Sequence, residues 1–260
     1  MKLTLVNKFA TKTSRGMLSK AWYKDEKGVS YLVKGNSMEN RIVGYEPYSE
    51  ALSYRIGKIL GIDCMAYALI PSKYAPDVHV YGNLGCVSIC MDQFLNQRMS
   101  FYEYMVISGR ENTNPLHFYL NSGLDLNYLA KMLAFDAFIG NPDRHLGNFD
   151  VYIKDGKFYN APVYDNGASL LAWESSSYVR GIKYGNKIYN DKSKPFKSTH
   201  TEQVKLALWL NNNKSIFNIK DKRSFYNYVF EQCNDIFELM PKYRADAIKN
   251  YLLNRSKYLV

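Results

Sequence analysis

The strongest pattern of apolar positions in the chain lies between residues 124 and 139. Apolar side chains recur there at helical spacing and form one broad stripe, which consists of Leu126, Leu129, Met132, Leu133, Phe135, Ala137 and Ile139. A stripe of this width predicts a buried helix. Gly140 and Asn141 favour the end of that helix, and Pro142 prevents it from continuing. We therefore expect a loop to begin at residue 140.

Two short runs of β-branched and aromatic residues follow this loop. They are FDVYI at 149–153 and FYNAPVY at 158–164, and Asp155 and Gly156 lie between them. An Asp-Gly pair favours a tight turn of two residues, so the pattern predicts a β-hairpin. The sequence YDNG at 164–167 comes directly after it, and its glycine allows a second sharp turn.

The amino-terminal third contains two strand-like segments with one helix-like segment between them. YLVKG at 31–35 and GCVSICMDQFL at 85–95 have the composition and alternation of strands. Between them, the segment at 46–62 places Pro47 at a favourable first helical position and ends at Gly61. This part of the chain is therefore predicted to be rich in strands, with one helix.

Residues 201–260 predict three helices. They are TEQVKLALWL, KRSFYNYVFEQCNDIFEL and a segment that begins at Pro241. With the helix at 124–139, they make the second part of the chain mostly helical. The expected fold class is α+β, with a β-rich part over residues 1–92 and a mainly helical part over residues 93–260.

Composition adds limits rather than a function. A chain of 260 residues is long enough to bury a full core. It has no run of about 18 uninterrupted apolar residues and no secretory signal, so we expect a soluble, cytoplasmic protein without a membrane span. The four cysteines and four histidines show neither zinc nor redox spacing. The net charge is +10, but no nucleic-acid-reading motif is present, so nucleic-acid binding is the least favoured role.

Candidate chemistry is concentrated in GNPDRHLGN at 140–148 and in the YDNG turn. Asp143, Asn148 and Asp165 supply two carboxylates and one amide there. Phosphoryl transfer needs oxygen ligands for divalent cations and a carboxylate aimed at the incoming hydroxyl. The spacing therefore indicates a metal-nucleotide site, with a capped turn or a solvated loop as the alternative.

These residues resemble the catalytic loop of kinases with a protein-kinase-like fold, which has Asp, then Asn five positions later, ahead of an Asp-Gly metal turn. HipA-like serine/threonine kinases have the form GNxDxHxxN before YDxG, and this chain has GNPDRHLGN and YDNG. Phosphoinositide kinases carry a similar DRHxxN string, so the loop alone does not choose between these families. The resemblance implies a bilobal kinase fold, and the chain length favours the compact, stand-alone HipA-like members.

The resemblance assigns roles to residues of the loop and the turn. It implies that Asp143 accepts the proton of the substrate hydroxyl and that Asn148 and Asp165 bind Mg²⁺. It further implies that His145 braces the loop or contacts the γ-phosphate of ATP.

In the amino-terminal lobe, the resemblance implies a strand lysine that is paired with a glutamate of the following helix. Lys34 is our candidate for the contact with the α- and β-phosphates, and Glu50 is its candidate partner, with Glu46 as the rival. An exposed lysine at a strand end and an exposed helical acid are the structural alternatives.

The resemblance also places two further parts of a nucleotide site. Residues 11–24, which include Ser14 and Gly16, lie where kinases fold a loop over the phosphates, and their hydroxyls and amides would form an anion-binding nest. An ordinary basic hairpin is the alternative, and autophosphorylation of a hydroxyl in this loop is implied by the resemblance only. Adenine is expected against the backbone near Cys90, Met91 and Gln93.

We therefore expect an ATP- and Mg²⁺-dependent Ser/Thr protein kinase that acts on a protein hydroxyl. A phosphoinositide or small-molecule kinase and a nucleotide-binding pseudokinase are the alternatives. An antitoxin-like partner is implied by the resemblance alone. The basic stretch at 180–197 suggests contact with an acidic or phosphorylated surface, and a solvated loop is its alternative.

Overall fold

The computed structural model describes residues 3–8, 18–37, 44–80, 82–181 and 191–260. The strands in these ranges are β1 (Thr4–Lys8), β2 (Leu18–Lys24), β3 (Ser30–Ser37), β4 (Ala68–Pro71), β5 (Leu84–Ile89), β6 (Met99–Ser100), β7 (Asp150–Lys154) and β8 (Lys157–Asn160). The first five form one antiparallel sheet in the order β1-β2-β3-β5-β4, and the last three form a second sheet in the order β6-β7-β8.

The helices in the same ranges are α1 (Glu46–Ile59), α2 (Phe101–Ile107), α3 (Pro115–Asn121), α4 (Leu126–Ile139), α5 (Ser176–Gly181), α6 (His200–Leu210), α7 (Lys222–Gln232), α8 (Asn234–Glu238) and α9 (Lys242–Asn254). All but α1 follow the five-stranded sheet in sequence. The expected α+β class, a small antiparallel sheet region followed by a mainly helical part, is therefore confirmed. The boundary at residue 92 stays a prediction.

The two faces of the first sheet have different partners. Ala21 of β2 and Val33 of β3 are register partners, and both are buried in a small cluster on one face. Side chains alternate between faces along a strand, so the neighbouring register pair, Lys20 and Lys34, lies on the opposite face. This is the face toward α1, because Lys34 contacts Glu50 of that helix.

Helix α4 is the centre of the helical part. Its residues from Met132 to Ile139 are almost completely buried, as the broad apolar stripe predicted. Leu126, the first residue of the helix, was also assigned to the stripe but is exposed. Asp125 caps its first turn by accepting a hydrogen bond from the amide of Asn127 at 2.8 Å. The helix ends at Gly140, whose φ of +70° is in the left-handed region. The predicted helix and its end are therefore confirmed.

The hairpin after the loop is confirmed too. Strands β7 and β8 pair in antiparallel register and are joined by Asp155 and Gly156, with φ of +51° and +70°. Positive φ at both central residues is the turn that an Asp-Gly pair favours. Strand β6 pairs with β7 on the other side and leads directly into α2.

Two boundaries differ from the sequence prediction. The predicted strand at 85–95 ends at Ile89, because Met91–Gln93 forms a short 3₁₀ turn in which the Gln93 amide donates to the Cys90 carbonyl. The predicted helix through Cys233 is divided into α7 and α8. Arg55 of α1 donates to the Gln232 carbonyl at 2.7 Å and pairs with the Asp235 carboxylate, so a tertiary contact uses a carbonyl at the break.

Within the described residues, none of the helices combines the length and the apolar character needed to cross a bilayer.

Candidate active site

Three residues that are far apart in the sequence meet at one ammonium group. Lys34 of β3 donates to Glu50 Oε1 at 2.7 Å and to Asp165 Oδ1 at 2.8 Å. Lys34 and Glu50 are buried, whereas one third of the Asp165 side chain is exposed. The Glu50 carboxylate also accepts a hydrogen bond from the Asn166 amide at 2.9 Å. Glu50 therefore fixes both the lysine and the turn that carries Asp165.

The charges of this cluster support one another. Burial disfavours the Lys34 ammonium, but the carboxylates of Asp165 and Glu50 outweigh it, so the pKa of Lys34 is raised well above its usual value. Burial also disfavours ionised Asp165, yet Lys34 more than compensates and lowers the pKa of Asp165. Burial raises the pKa of Glu50 despite the nearby ammonium. The cluster is thus a lysine held in its charged form beside a partly exposed carboxylate.

Glu46, the rival partner of Lys34, has a different contact. Its carboxylate accepts a hydrogen bond from the Asn36 side chain at 2.9 Å. Glu46 is the first residue of α1, and Asn36 lies two positions after Lys34 on β3. This pair therefore joins the start of the helix to the end of the strand, while Glu50, one turn further along the helix, meets the lysine.

A second lysine lies on the same face of the sheet and was missed from the sequence. Lys20 of β2 is the register partner of Lys34. Burial lowers the pKa of Lys20, and the Asp165 carboxylate acts in the opposite direction. Alternation of side chains along β2 places Lys20 on the same face as Lys34, but this could be inferred only once the register between β2 and β3 was known.

The loop after α4 is held by its own side chains. The Asp143 amide donates to Asn141 Oδ1 at 3.0 Å, and the Asn148 side-chain nitrogen donates to the Asp143 carbonyl at 3.0 Å. His145 Nδ1 accepts from the Gly147 amide at 3.1 Å. These bonds close the loop, and they use the nitrogen of the Asn148 amide rather than its oxygen.

Arg144 is the residue of this loop that sequence reasoning missed. It is completely buried, and it pairs with both carboxylate oxygens of Asp136 on α4, at 3.0 and 3.1 Å. It also donates to the Asn148 carbonyl at 2.8 Å, to the Tyr164 carbonyl and to the Asn166 side chain. One guanidinium thus joins helix α4, the loop and the YDNG turn. The sequence does not show that this arginine is buried, so its role became clear only from the structure.

The segment expected to contact adenine is partly committed to backbone pairing. The Cys90 amide donates to the Ser30 carbonyl at 2.9 Å, which extends the pairing of β5 with β3. Gln93 forms two bonds with the backbone of Ser30, from its amide nitrogen at 2.6 Å and to its amide oxygen at 3.0 Å. The Met91 carbonyl accepts hydrogen bonds from the amides of Phe94 and Leu95, at 3.0 and 2.9 Å, so the turn itself uses much of its own backbone. Ser14 and Gly16 lie outside the described residues.

The oxygen-bearing groups fit a magnesium-nucleotide complex. The Asp165 carboxylate is one-third exposed, and the bond that closes the loop uses the Asn148 amide nitrogen rather than its oxygen. Carboxylate and amide oxygens are ligands that Mg²⁺ accepts, and it commonly keeps water and phosphate oxygens for its remaining positions. No group of three or more His, Cys, Asp or Glu side chains with metal-site geometry occurs among the described residues.

Solved structures similar to this one identify the architecture. The Helicobacter pylori proinflammatory kinase CtkA superposes with a TM-score of 0.65 at 13% sequence identity, over 96% of this chain and 92% of that chain. The fold is therefore protein-kinase-like. Shewanella oneidensis HipA, solved with HipB and operator DNA, gives 0.52 at 12% identity, over 95% of this chain and 65% of that chain.

The Golgi casein kinase gives a TM-score of 0.50 at 11% identity, over 99% of this chain and 72% of that chain, and one of its structures holds Mn and ADP. No family model and no curated protein matches the sequence. At these identities the comparisons show the fold, and the chemistry has to be argued from the residues of this chain.

Within the kinase-like fold, a cavity of about 530 Å³ opens beside Asp143. Pro142 and Asp143 line it from the loop, Trp173 and Tyr178 line it from the segment after the YDNG turn, and Lys194 lines it from the basic stretch. It is large enough for an amino-acid side chain and the backbone around it. The described residues of the basic stretch therefore border the candidate base.

Gly140→Ala is expected to destabilise the fold by about 2–4 kcal/mol, from the left-handed backbone and from overpacking. A Cβ at Gly140 would lie 1.8 Å from the Tyr251 hydroxyl. Gly156→Ala is the matched control, because Gly156 has the same φ of +70° and nothing within 4 Å of a built Cβ. Urea denaturation of both variants measures the difference. Equal losses of stability would show that the contact with Tyr251 is unimportant.

Proposed function

We propose that this protein is an ATP- and Mg²⁺-dependent phosphotransferase that acts as a Ser/Thr protein kinase. The observation that carries the proposal is the convergence of Lys34, Glu50 and Asp165, together with a loop that is joined to the same turn through Arg144. In a protein-kinase-like fold, this arrangement binds a nucleoside triphosphate and positions its γ-phosphate near a catalytic base.

Each member of the cluster has a distinct task in this proposal. Lys34 binds the α- and β-phosphates, and Glu50 holds its ammonium in place from the buried side. Asp165 and the Asn148 amide oxygen hold Mg²⁺, which neutralises phosphate charge when bound. His145 braces the loop through its bond with the Gly147 amide, which supports the bracing role rather than a phosphate contact.

Asp143 is the base in this proposal. The acceptor oxygen forms a bond to the γ-phosphorus while the bond from that phosphorus to the β,γ-bridging oxygen breaks. The hydroxyl proton passes to the Asp143 carboxylate, and ADP is the leaving group. Because the loop is closed by bonds of Asn141 and Asn148, the backbone that carries this carboxylate is held in place.

A protein hydroxyl is the proposed acceptor. The cavity beside Asp143 combines aromatic walls with lysine side chains, and its volume suits a Ser or Thr residue with its flanking backbone. Transfer of labelled phosphate from ATP to the chain itself or to a generic protein substrate, but not to lipid vesicles or small alcohols, is the expected result. Transfer only to vesicles would favour a phosphoinositide kinase, and nucleotide binding without transfer would favour a pseudokinase.

Asp165→Asn is expected to remove most of the stabilisation that MgATP gives. At ATP concentrations about 100 times Kd, the parent gains about 2.7 kcal/mol, which raises Tm by roughly 5–10 °C for a chain of this size. Asp165 has a φ of +60°, which asparagine tolerates, so the substitution keeps the turn.

Thermal denaturation with and without MgATP and EDTA measures this effect. Asp155→Asn is the control, because Asp155 also has positive φ but lies in the exposed hairpin turn. An unchanged Mg²⁺-dependent shift in Asp165→Asn would contradict the metal assignment.

A further inference from the structure

A lysine from outside the loop contacts the proposed base. Lys194 Nζ donates to Asp143 Oδ1 at 2.9 Å, across 51 positions of the sequence. Both side chains are partly exposed, at 52% for Lys194 and 37% for Asp143, so substrate can reach both. A cation from a distant segment of the chain therefore lies directly beside the carboxylate that receives the proton in the proposed function.

The backbone around Lys194 is tied to the helical part of the fold. The Ser193 amide donates to the Ser198 carbonyl at 2.9 Å, and the His200 amide donates to the Asp191 carbonyl at 2.8 Å. The Asp191 carboxylate accepts from the Tyr258 hydroxyl at 2.8 Å. Lys194 therefore lies in a short closed loop whose ends are anchored, and its approach to Asp143 is set by the fold.

The basic side chains within the loop itself have other partners. Residues 140–148 contain one arginine and one histidine. Arg144 is completely buried, and its guanidinium is used by Asp136 and by groups of the turn. His145 accepts a bond from a backbone amide through Nδ1. Lys34, which lies outside this loop on β3, is held by the carboxylates of Glu50 and Asp165.

We propose that Lys194 is a catalytic residue that contacts an equatorial oxygen of the γ-phosphoryl group during its transfer and also aligns the Asp143 carboxylate. The inference rests on the proposed kinase function. The acceptor hydroxyl must contact both the Asp143 carboxylate and the γ-phosphorus. The Lys194 ammonium, 2.9 Å from that carboxylate, therefore lies close to the phosphoryl group. The ammonium offsets the negative charge that Asp143 would otherwise present to the incoming phosphate.

Lys194→Met and Lys194→Arg test this assignment against Lys197→Met. Lys197 belongs to the same basic stretch, is exposed and lies outside the lining of the cavity beside Asp143. Lys194→Met is expected to lower kcat by about 10²- to 10³-fold, the loss typical of one preorganised charge-stabilising group. The affinity for ADP should not change, Lys194→Arg should restore part of kcat, and Lys197→Met should behave as the parent.

A second measurement separates catalysis from structure. ADP with aluminium fluoride imitates the planar phosphoryl group, so Lys194→Met should weaken its binding much more than the binding of ADP alone. Equal weakening of both complexes, a loss confined to the acceptor KM, or a kcat equal to or above that of the parent would each overturn the assignment. An inactive parent would overturn the proposed function and this inference with it, whereas an active parent with fully active Lys194→Met overturns this inference alone.

Discussion

Asp143→Asn is expected to lower kcat by about 10³- to 10⁴-fold, the upper part of the range that a general base contributes. Asparagine occupies the same space but does not accept the hydroxyl proton. The affinity for MgATP should be retained, because Lys34, Glu50 and Asp165 are untouched. Steady-state kinetics with a protein acceptor, together with nucleotide titration, measure the two quantities separately.

The loop should survive this substitution. Asp143 takes part in the loop through its backbone, as its amide donates to Asn141 and its carbonyl accepts from Asn148. Its side chain contacts Lys194 at 2.9 Å between two partly exposed groups, which contributes little to stability. Asp155→Asn in the hairpin turn is the matched control and should keep full activity. Turnover of Asp143→Asn within a few-fold of that control would remove Asp143 from the mechanism.

Arg144→Met has the largest expected effect on stability. The substitution leaves the Asp136 carboxylate buried without its arginine, and such a broken pair typically costs about 3–5 kcal/mol. Burial raises the pKa of Asp136 even with Arg144 present, and Arg144 acts in the opposite direction. The fall in Tm should be roughly 10 °C for a chain of this length.

Two comparison variants make this prediction specific. Arg55→Met breaks an ion pair with Asp235 whose side chains are 36% and 65% exposed, and it should cost about 1 kcal/mol or less from that pair. Asp136→Asn combined with Arg144→Met removes the unpaired charge and should recover part of the lost stability. Denaturation of the single and double variants gives the coupling between the two residues. Similar losses for Arg55→Met and Arg144→Met would show that Arg144 does not tie the site together.

The sequence predicted local structure well where one local rule was decisive. The stripe and the glycine stop located α4, and the Asp-Gly pair located the β7-β8 turn. It failed at Cys233, where helix propensity is continuous but Arg55 of another helix takes the Gln232 carbonyl. A pattern of periodicity contains no information about such a donor from a distant segment.

For the candidate site, the sequence supplied the residue types and their spacing. Asp143, Asn148 and Asp165 were found because a short loop and a following turn limit how far apart such groups can lie. Lys34 and Glu50 came from the family resemblance, and the structure places them 2.7 Å apart. Lys20, Arg144 and Lys194 were not singled out as site residues, since each acquires its partners through contacts between elements.

The sequence by itself determined α1, α4 and the β7-β8 hairpin, because these follow from periodicity, capping and turn chemistry within a few neighbouring residues. The tertiary structure decided which charges meet. Burial removes Lys34, Glu50 and Arg144 from water, so each must find a partner, and only the packing of α1, α4 and the YDNG turn selects that partner. The anchored segment at 191–200 likewise brings Lys194 to Asp143 across 51 residues.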